Sequence, residues 1–433
     1  MNTPHPSPVS SGRLGAFFVK AARGFQSLRV RNYRLFWIGQ VISLTGTWMQ
    51  TTAQAWLVLR LTNGSPFALG VVTTLQFLPV TLLALYGGVL ADRLPKRRTI
   101  MLTQTLLMIQ AFVFGGLVAT GTVQIWHVYV LAVIQGIITA VDNPVRQAFL
   151  YEMVGPEDLV NAVGLNSMSF NGARIFGPAL AGVVIKLVGI SPALILNAIS
   201  FIPVIWALLL MDASKLFAAP PSSPGSMFSR LKEGLVFSWK TPMILSILIV
   251  AAFTGTFGFN FTVIVPLFAD GILKTDETGL GLLFAAMGVG ALIGSLATAY
   301  SRRITPRRQL ISAALFGLFL CVLALSTQFW LSAMLLLITG IVAITCGNAT
   351  NTLLQLNSPG QLRGRVISIN VLLNQGSTPI GGFLLGALGQ LAGVPFALAL
   401  FGLLCMVGVG LALVYRWRFA RQTPQSAGAE KYP

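Results

Sequence analysis

Apolar runs of about 20 residues, separated by short polar stretches, recur along almost the whole chain. A run of that length crosses the hydrocarbon core of a bilayer as a helix. Twelve such spans are read, at residues 35–60, 67–90, 99–120, 125–150, 161–186 and 192–211, then 243–268, 280–300, 309–327, 330–354, 366–390 and 395–415. The polar connection 212–242 between the two sets opens with AAPPSSPGS. Met227 to Lys240 then reads as an amphipathic helix, with Phe228, Leu231, Leu235 and Trp239 on one stripe and Arg230, Lys232, Glu233 and Lys240 off it. Such a helix lies on a membrane surface. The expected organisation is a tail (1–34), a six-helix bundle (35–211), the connection (212–242), a second six-helix bundle (243–415) and a second tail (416–433). The fold class that follows is an all-α membrane protein.

Composition sharpens this. The chain is 55% hydrophobic and 9% charged, against about 25% charged in soluble domains. The net charge of +18 raises nucleic acid as a partner, but the cations sit between apolar runs and at the ends, not along one polar face. On this map 25 of the 29 cations fall on the side of the termini, against Arg60, Lys186 and Lys274 on the other, with Arg174 left in mid-span. That asymmetry puts both termini in the cytoplasm and the chain in the plasma (inner) membrane. Trp37 and Trp56 lie 19 residues apart, about 28 Å of helix, near the hydrocarbon thickness. Residues 1–34 are polar and basic and read as a tail, not a cleaved leader. Cys321, Cys346 and Cys405 lie inside apolar runs without a CxxC and read as small buried hydrophobes.

Polar residues inside spans are the candidate functional groups. In the first span Gln40, Ser43, Thr47, Gln50 and Gln54 share one helical face. A lipid-facing glutamine would leave its amide unpaired, so this face looks inward, either as the wall of a water-filled substrate cavity or as hydrogen-bonding glue between helices. A single such residue favours the glue; a stripe of five favours the cavity. Trp48 lies beside the stripe and can stack on a substrate or pack on a neighbour. The fourth span carries Gln135, Thr139, Asp142 and Arg146 on one face, with Asp142 and Arg146 an i,i+4 pair. In the fifth, Asn171 and Arg174 are polar and Arg174 is near mid-membrane; it pairs with amides and carbonyls or attracts anionic substrates. The eleventh span repeats a polar face with Asn370, Asn374 and Ser377.

Between the second and third spans stands GGVLADRLPKRR. Its Gly88, Asp92, Arg93, Arg97 and Arg98 resemble the loop signature of the major facilitator superfamily. Ser301-Arg302 followed by Pro306-Arg307-Arg308 repeats it 209 residues on, with serine in place of the acid, and GISPALIL returns as GVPFALAL. The fifth span reads NGARIFGPALAG, whose Gly177, Pro178 and Gly182 are similar to the Gly-Pro motif of exporters in that superfamily. This segment, with RNYRLFWIGQVISLTG and GSPFALG, resembles the branch containing enterobactin and macrolide exporters, over about residues 30–415.

The resemblance implies a major facilitator fold, two six-helix halves that rock about a central site, and export of a small lipophilic drug, macrolide or siderophore-like substrate. It also implies a gate in which an acid of the fourth span meets the basic loop, Asp142 being the best match and Glu152 the second, while Asp92 meets the start of the eleventh helix. Protons as the coupling ion of an antiporter are implied by the resemblance alone, since the first span holds no acid. The expected partners are the small-molecule substrate and the lipid bilayer; no nucleic acid, cofactor or metal is called for. An uptake permease is the alternative within this class. A membrane-embedded enzyme would need a converging catalytic set, and the chain has just His5 and His127, no HExxH and no Gly-x-Ser-x-Gly. An ATP-driven pump would need GxxxxGK[ST], which is absent.

Overall fold

The computed structural model describes residues 25–218, 227–301 and 303–422, with the side chains of 84–85, 87–92, 227–231 and 419–422 outside the description. The described chain is almost entirely helical, with short connections and no strand among the described residues. Helix α1 (Arg31–Leu61), α2 (Pro66–Arg93) and α3 (Lys96–Ala119) are each a single long rod. Among the described residues nine helical stretches are long and apolar enough to cross a membrane. One of them, α4 (Ile125–Val188), has 64 residues, enough for two crossings. It is divided at Gly155, whose φ of 71° lies in the left-handed region open to glycine. Pro156 follows, and the Phe217 ring covers the turn. The fourth and fifth spans are therefore two arms of one helical run, because a Gly-Pro break replaces a polar loop there.

The α5 (Ile190–Ser200) and α6 (Ile202–Leu210) pair completes the first half. Helix α7 (Met227–Lys240) belongs to the connection. It seats Gly234 on Arg365 and Ile369, pairs Glu233 with Arg365, and leaves Leu235, Val236 and Trp239 exposed. The exposed apolar face with Lys232 and Lys240 on the same helix suits a membrane surface. Phe228, Arg230 and Leu231 of the expected stripe have side chains outside the description.

The seventh span is broken. Helix α8 (Pro242–Phe253) passes through a π-turn at Thr254–Gly258 into α9 (Phe261–Leu267), and a second π-turn follows at Phe268–Ile272. The i−5 bonds Phe259 N to Thr254 O (3.0 Å) and Leu273 N to Phe268 O (2.9 Å) define the two turns. Helices α10 (Glu277–Ala299), α11 (Pro306–Ala324) and α12 (Phe329–Asn357) follow. The eleventh span is α13 (Gly360–Gln375) and α14 (Thr378–Ala392), broken just before Pro379, and α15 (Val394–Gln422) closes the chain.

Two ends of the bundle differ. At the end away from the termini, one apolar cluster runs through both halves, from Trp56, Leu69 and Ile185 to Phe268, Leu280 and Leu385. Toward the termini it divides. Tyr33, Phe36, Phe149 and Val204 form a core within the first half, and Ile244, Leu353, Val366 and Ile369 form another within the second. The halves thus share a core at one end and keep separate cores at the other.

Candidate functional site

The joined end is closed by small residues and by charge. Helix α2 meets α14 where a Cβ on Gly70 would lie 2.7 Å from the Gly382 carbonyl, and one on Gly386 would lie 2.7 Å from that of Pro66. The fifth-span arm of α4 meets α10 in the same way. A Cβ on Gly182 would lie 2.6 Å from the Glu277 carbonyl, and one on Gly281 3.0 Å from that of Pro178. These two crossings pair Gly70 with Gly281, 211 residues apart, and Gly182 with Gly386, 204 apart. They match the 209-residue repeat of the loops, so the internal repeat is visible in how the halves touch. Thr74 donates to Pro379 O (3.0 Å) across the first crossing.

Above the crossings the Arg60 guanidinium pairs with Glu277, which also accepts from Trp56 Nε1 at 3.1 Å. Lys186 Nζ lies 2.9 Å from Asp276 Oδ2, and Ser65 donates to Gln390 at 3.0 Å. The Gly279 N–H, and then Lys186, hold the Asp276 carboxyl below the usual carboxylate range. The pair therefore stays charged until the pH falls through that lowered value. The sequence reading passed over these pairs. Their signal was available: Asp270, Asp276 and Glu277 fall within eight residues of one another.

The first-span stripe divides. Gln54 Nε2 reaches Gln76 of α2 at 3.3 Å and, with Thr51, Gln76 and Thr262, lines a small pocket beneath the closed end. Thr47 is half-buried and donates to its own helix at Ser43 O. Gln50 is buried within the first half, donating to Gln110 of α3 (3.4 Å) and accepting from Asn197 of α5 (2.6 Å). Ser43 and Gln40 are buried, and the Gln40 Oε1 has no hydrogen-bond partner among the described residues. The same is true of Gln135 Oε1, while Thr139 is half-buried. Asn374 donates to Asn370, and Asn370 to Asn351.

Asp142 is the one acid among the described residues that is fully buried. Thr103 donates to its Oδ1 at 2.5 Å and Gln104 at 3.0 Å, and Arg146 pairs with its other oxygen. Asp142 thus ties α4 to α3. The basic loop is met by Glu152, whose Oε1 lies 2.7 Å from Lys96 Nζ. Arg97 donates to the carbonyls of Leu208 (2.7 Å) and Leu209 (3.2 Å), where a cation suits the negative end of α6. Arg93 and Arg98 are exposed. The Gly88 and Asp92 side-chain positions lie outside the described residues. In the second half Ser301 accepts from Arg308.

In the fifth span a Cβ on Gly177 would lie 2.5 Å from Trp48 Cβ, so the glycine is what lets the indole sit there. Trp48 meets Phe170 edge-on, with centroids 5.8 Å apart, and Arg174 lies 5.9 Å above the indole. Asn171 donates to its own helix at Ser167 O. An arginine at mid-membrane costs about 2.5–3.5 kcal/mol, and a cation–π contact returns about 0.5–2 kcal/mol.

The arrangement is two helical halves, closed together at one end over a polar interior. A model of the family described as "Transmembrane secretion effector" matches residues 22–431. The chain is 28% identical to the multidrug efflux pump Tap of Mycolicibacterium fortuitum, over 81% of this chain and 87% of that one. It is 26% identical to the enterobactin exporter EntS of Escherichia coli, over 92% and 95%. In fold it is similar to a bacterial homologue of the human lysosomal transporter Spinster, solved inward-facing and unoccupied, with a TM-score of 0.68 at 13% identity, over 92% and 99% of the two chains. The helical architecture, the loop motif and this match together place the protein: it belongs to the transmembrane secretion effector family of membrane transporters, within the major facilitator superfamily.

Proposed function

We propose that the protein exports small, largely lipophilic compounds across the inner membrane by alternating access, as a secondary transporter with both termini in the cytoplasm. The observation that carries this reading is the division of the core: shared at one end, separate at the other. Rocking the halves about a central site, with the glycine crossings separating as the joined end opens, exchanges which end is joined. The cation asymmetry of the loops supports an orientation with the divided end toward the cytoplasm, so the geometry described here corresponds to the inward-facing state. The efflux pump and siderophore exporter among the relatives support the outward direction.

On this reading the domain limits are 35–211 and 243–415, with 212–242 as a cytoplasmic connection. The cavity wall takes Thr47, Trp48, Gln54, Thr139, Asn171, Arg174 and Asn374. Gln40 and Gln135 offer it unpartnered amide oxygens. The Asp92 carboxyl locks the cytoplasmic end in the outward-facing state, and proton antiport drives the cycle. Adding a lipophilic dye outside inverted membrane vesicles with an acidic interior tests direction and coupling together. Export gives dye accumulation that a protonophore abolishes. Accumulation in right-side-out vesicles instead would establish uptake and overturn the reading.

A further inference from the structure

No ion pair among the described residues joins Arg174 to an acid. Among the described residues Asp142 is paired with Arg146, Glu152 with Lys96, Asp276 with Lys186, Glu277 with Arg60, Asp212 with Lys215 and Glu233 with Arg365. Glu157 and Asp158 share its helix but lie 16 or more residues away, about 24 Å along the axis. What Arg174 does have is an aromatic floor: the Trp48 indole at 5.9 Å, with Phe170 edge-on to it and half exposed. Gly177 holds that floor in place, since any side chain there would displace Trp48. The contact places the guanidinium carbon over the ring, and the guanidinium carries five N–H donors in one plane that can meet an oxyanion as a fork.

We infer that Arg174 and Trp48 form an anion-reading subsite, and that the substrates favoured by this transporter are amphipathic organic acids: a carboxylate or comparable oxyanion attached to a flat, apolar body. The oxyanion takes the guanidinium fork, and the apolar body lies against Trp48 and Phe170. This rests on the transport reading above and narrows its substrate class. It accounts for a cation kept at a depth where an unpaired one is costly.

The test uses the full chain in nanodiscs, with 2-naphthoate and its neutral counterpart 2-naphthamide as probes and binding measured by equilibrium dialysis. The wild type is expected to bind the naphthoate roughly tenfold or more tighter, the usual return on a hydrogen-bonded charge. Arg174→Gln should remove that preference, weakening naphthoate binding about tenfold more than naphthamide binding. Equal wild-type affinities, including no measurable binding of either probe, overturn the inference, as does a preference that survives Arg174→Gln. Where the glutamine variant does not fold, Arg174→Lys decides: loss of the planar fork should cut the preference severalfold, and an unchanged preference overturns the proposal. Vesicle transport of the same probes separates the two readings. Anion-selective binding without transport contradicts export and leaves the subsite standing. Transport without anion preference contradicts the subsite and leaves export standing.

Discussion

At the scale of the residue, the buried polar groups of this protein fall into two kinds that one sequence pattern does not distinguish. Gln40, Ser43, Thr47, Gln50 and Gln54 share a face of α1, and all but the half-buried Thr47 are buried. Yet a helix in a six-helix half has two interior directions, toward its own bundle and toward the other half. Gln50 takes the first, bonded to Gln110 and Asn197, and Gln54, though bonded to Gln76 of its own half, lines a pocket to which Thr262 of the other half contributes. Periodicity reports that a face is inward and is silent on which inward direction, because both exclude lipid equally. The same limit applies to Asp142. Its i,i+4 pairing with Arg146 was legible, and its bonds from Thr103 and Gln104 required knowing that α3 packs there. The cluster makes a sharp prediction. Asp142→Asn leaves the Arg146 charge buried and unmatched and should destabilise the detergent-solubilised protein by about 3 kcal/mol or more. Asp142→Asn with Arg146→Gln should recover much of that loss. Thermal unfolding of the four proteins of this cycle measures it, and additive losses would show that the pair is not coupled.

At the scale of the element, the long apolar runs predicted the helices well, and the interruptions poorly. The fourth and fifth spans are joined through Gly155 and Pro156, the seventh carries two π-turns, and the eleventh breaks before Pro379. Hydropathy averages over about one crossing, so a break of a single turn leaves it unchanged. The two glycine crossings, by contrast, can be recovered from the repeat once the contacts are known. Their energetics are steric. Gly281→Leu inserts a side chain where even a Cβ would lie 3.0 Å from the Pro178 carbonyl, and overpacking of this kind costs about 1–3 kcal/mol. On the proposed cycle that cost falls on this closed state and not on the one in which the crossing has separated. The variant should therefore hold the outer end open, stop transport, and let an impermeant thiol reagent added outside reach a cysteine placed at Thr51, beneath the gate. Unchanged protection of that cysteine would show that the crossing does not close the pathway.

At the scale of the whole molecule, the proposed cycle reads the division of the apolar core and the charged joined end as one of two mutually exclusive closures. Glu277 joins Arg60 and Trp56 across the halves at one end. The basic loop with Asp92 and the start of α13, where a carboxylate would meet a helix N-terminus, is the proposed closure at the other. Each is worth a small number of kcal/mol, since exposed ion pairs contribute about 0–1 kcal/mol and hydrogen bonds to charged groups about 1.5–3 kcal/mol. Removing either should shift the balance without locking it. The deciding measurement is the distance distribution between spin labels on two pairs in lipid: Arg98 with Arg307 at the proposed cytoplasmic end, and Asn63 with Leu391 at the proposed outer end, all exposed positions on opposite halves. The account predicts a resting protein with the outer pair close and the inner pair apart. Glu277→Gln should lengthen the outer distance and shorten the inner one in the same population, and Asp92→Asn should move both the other way. Distances that change together, or at one end alone, would contradict alternating access between two closures as the way this transporter works.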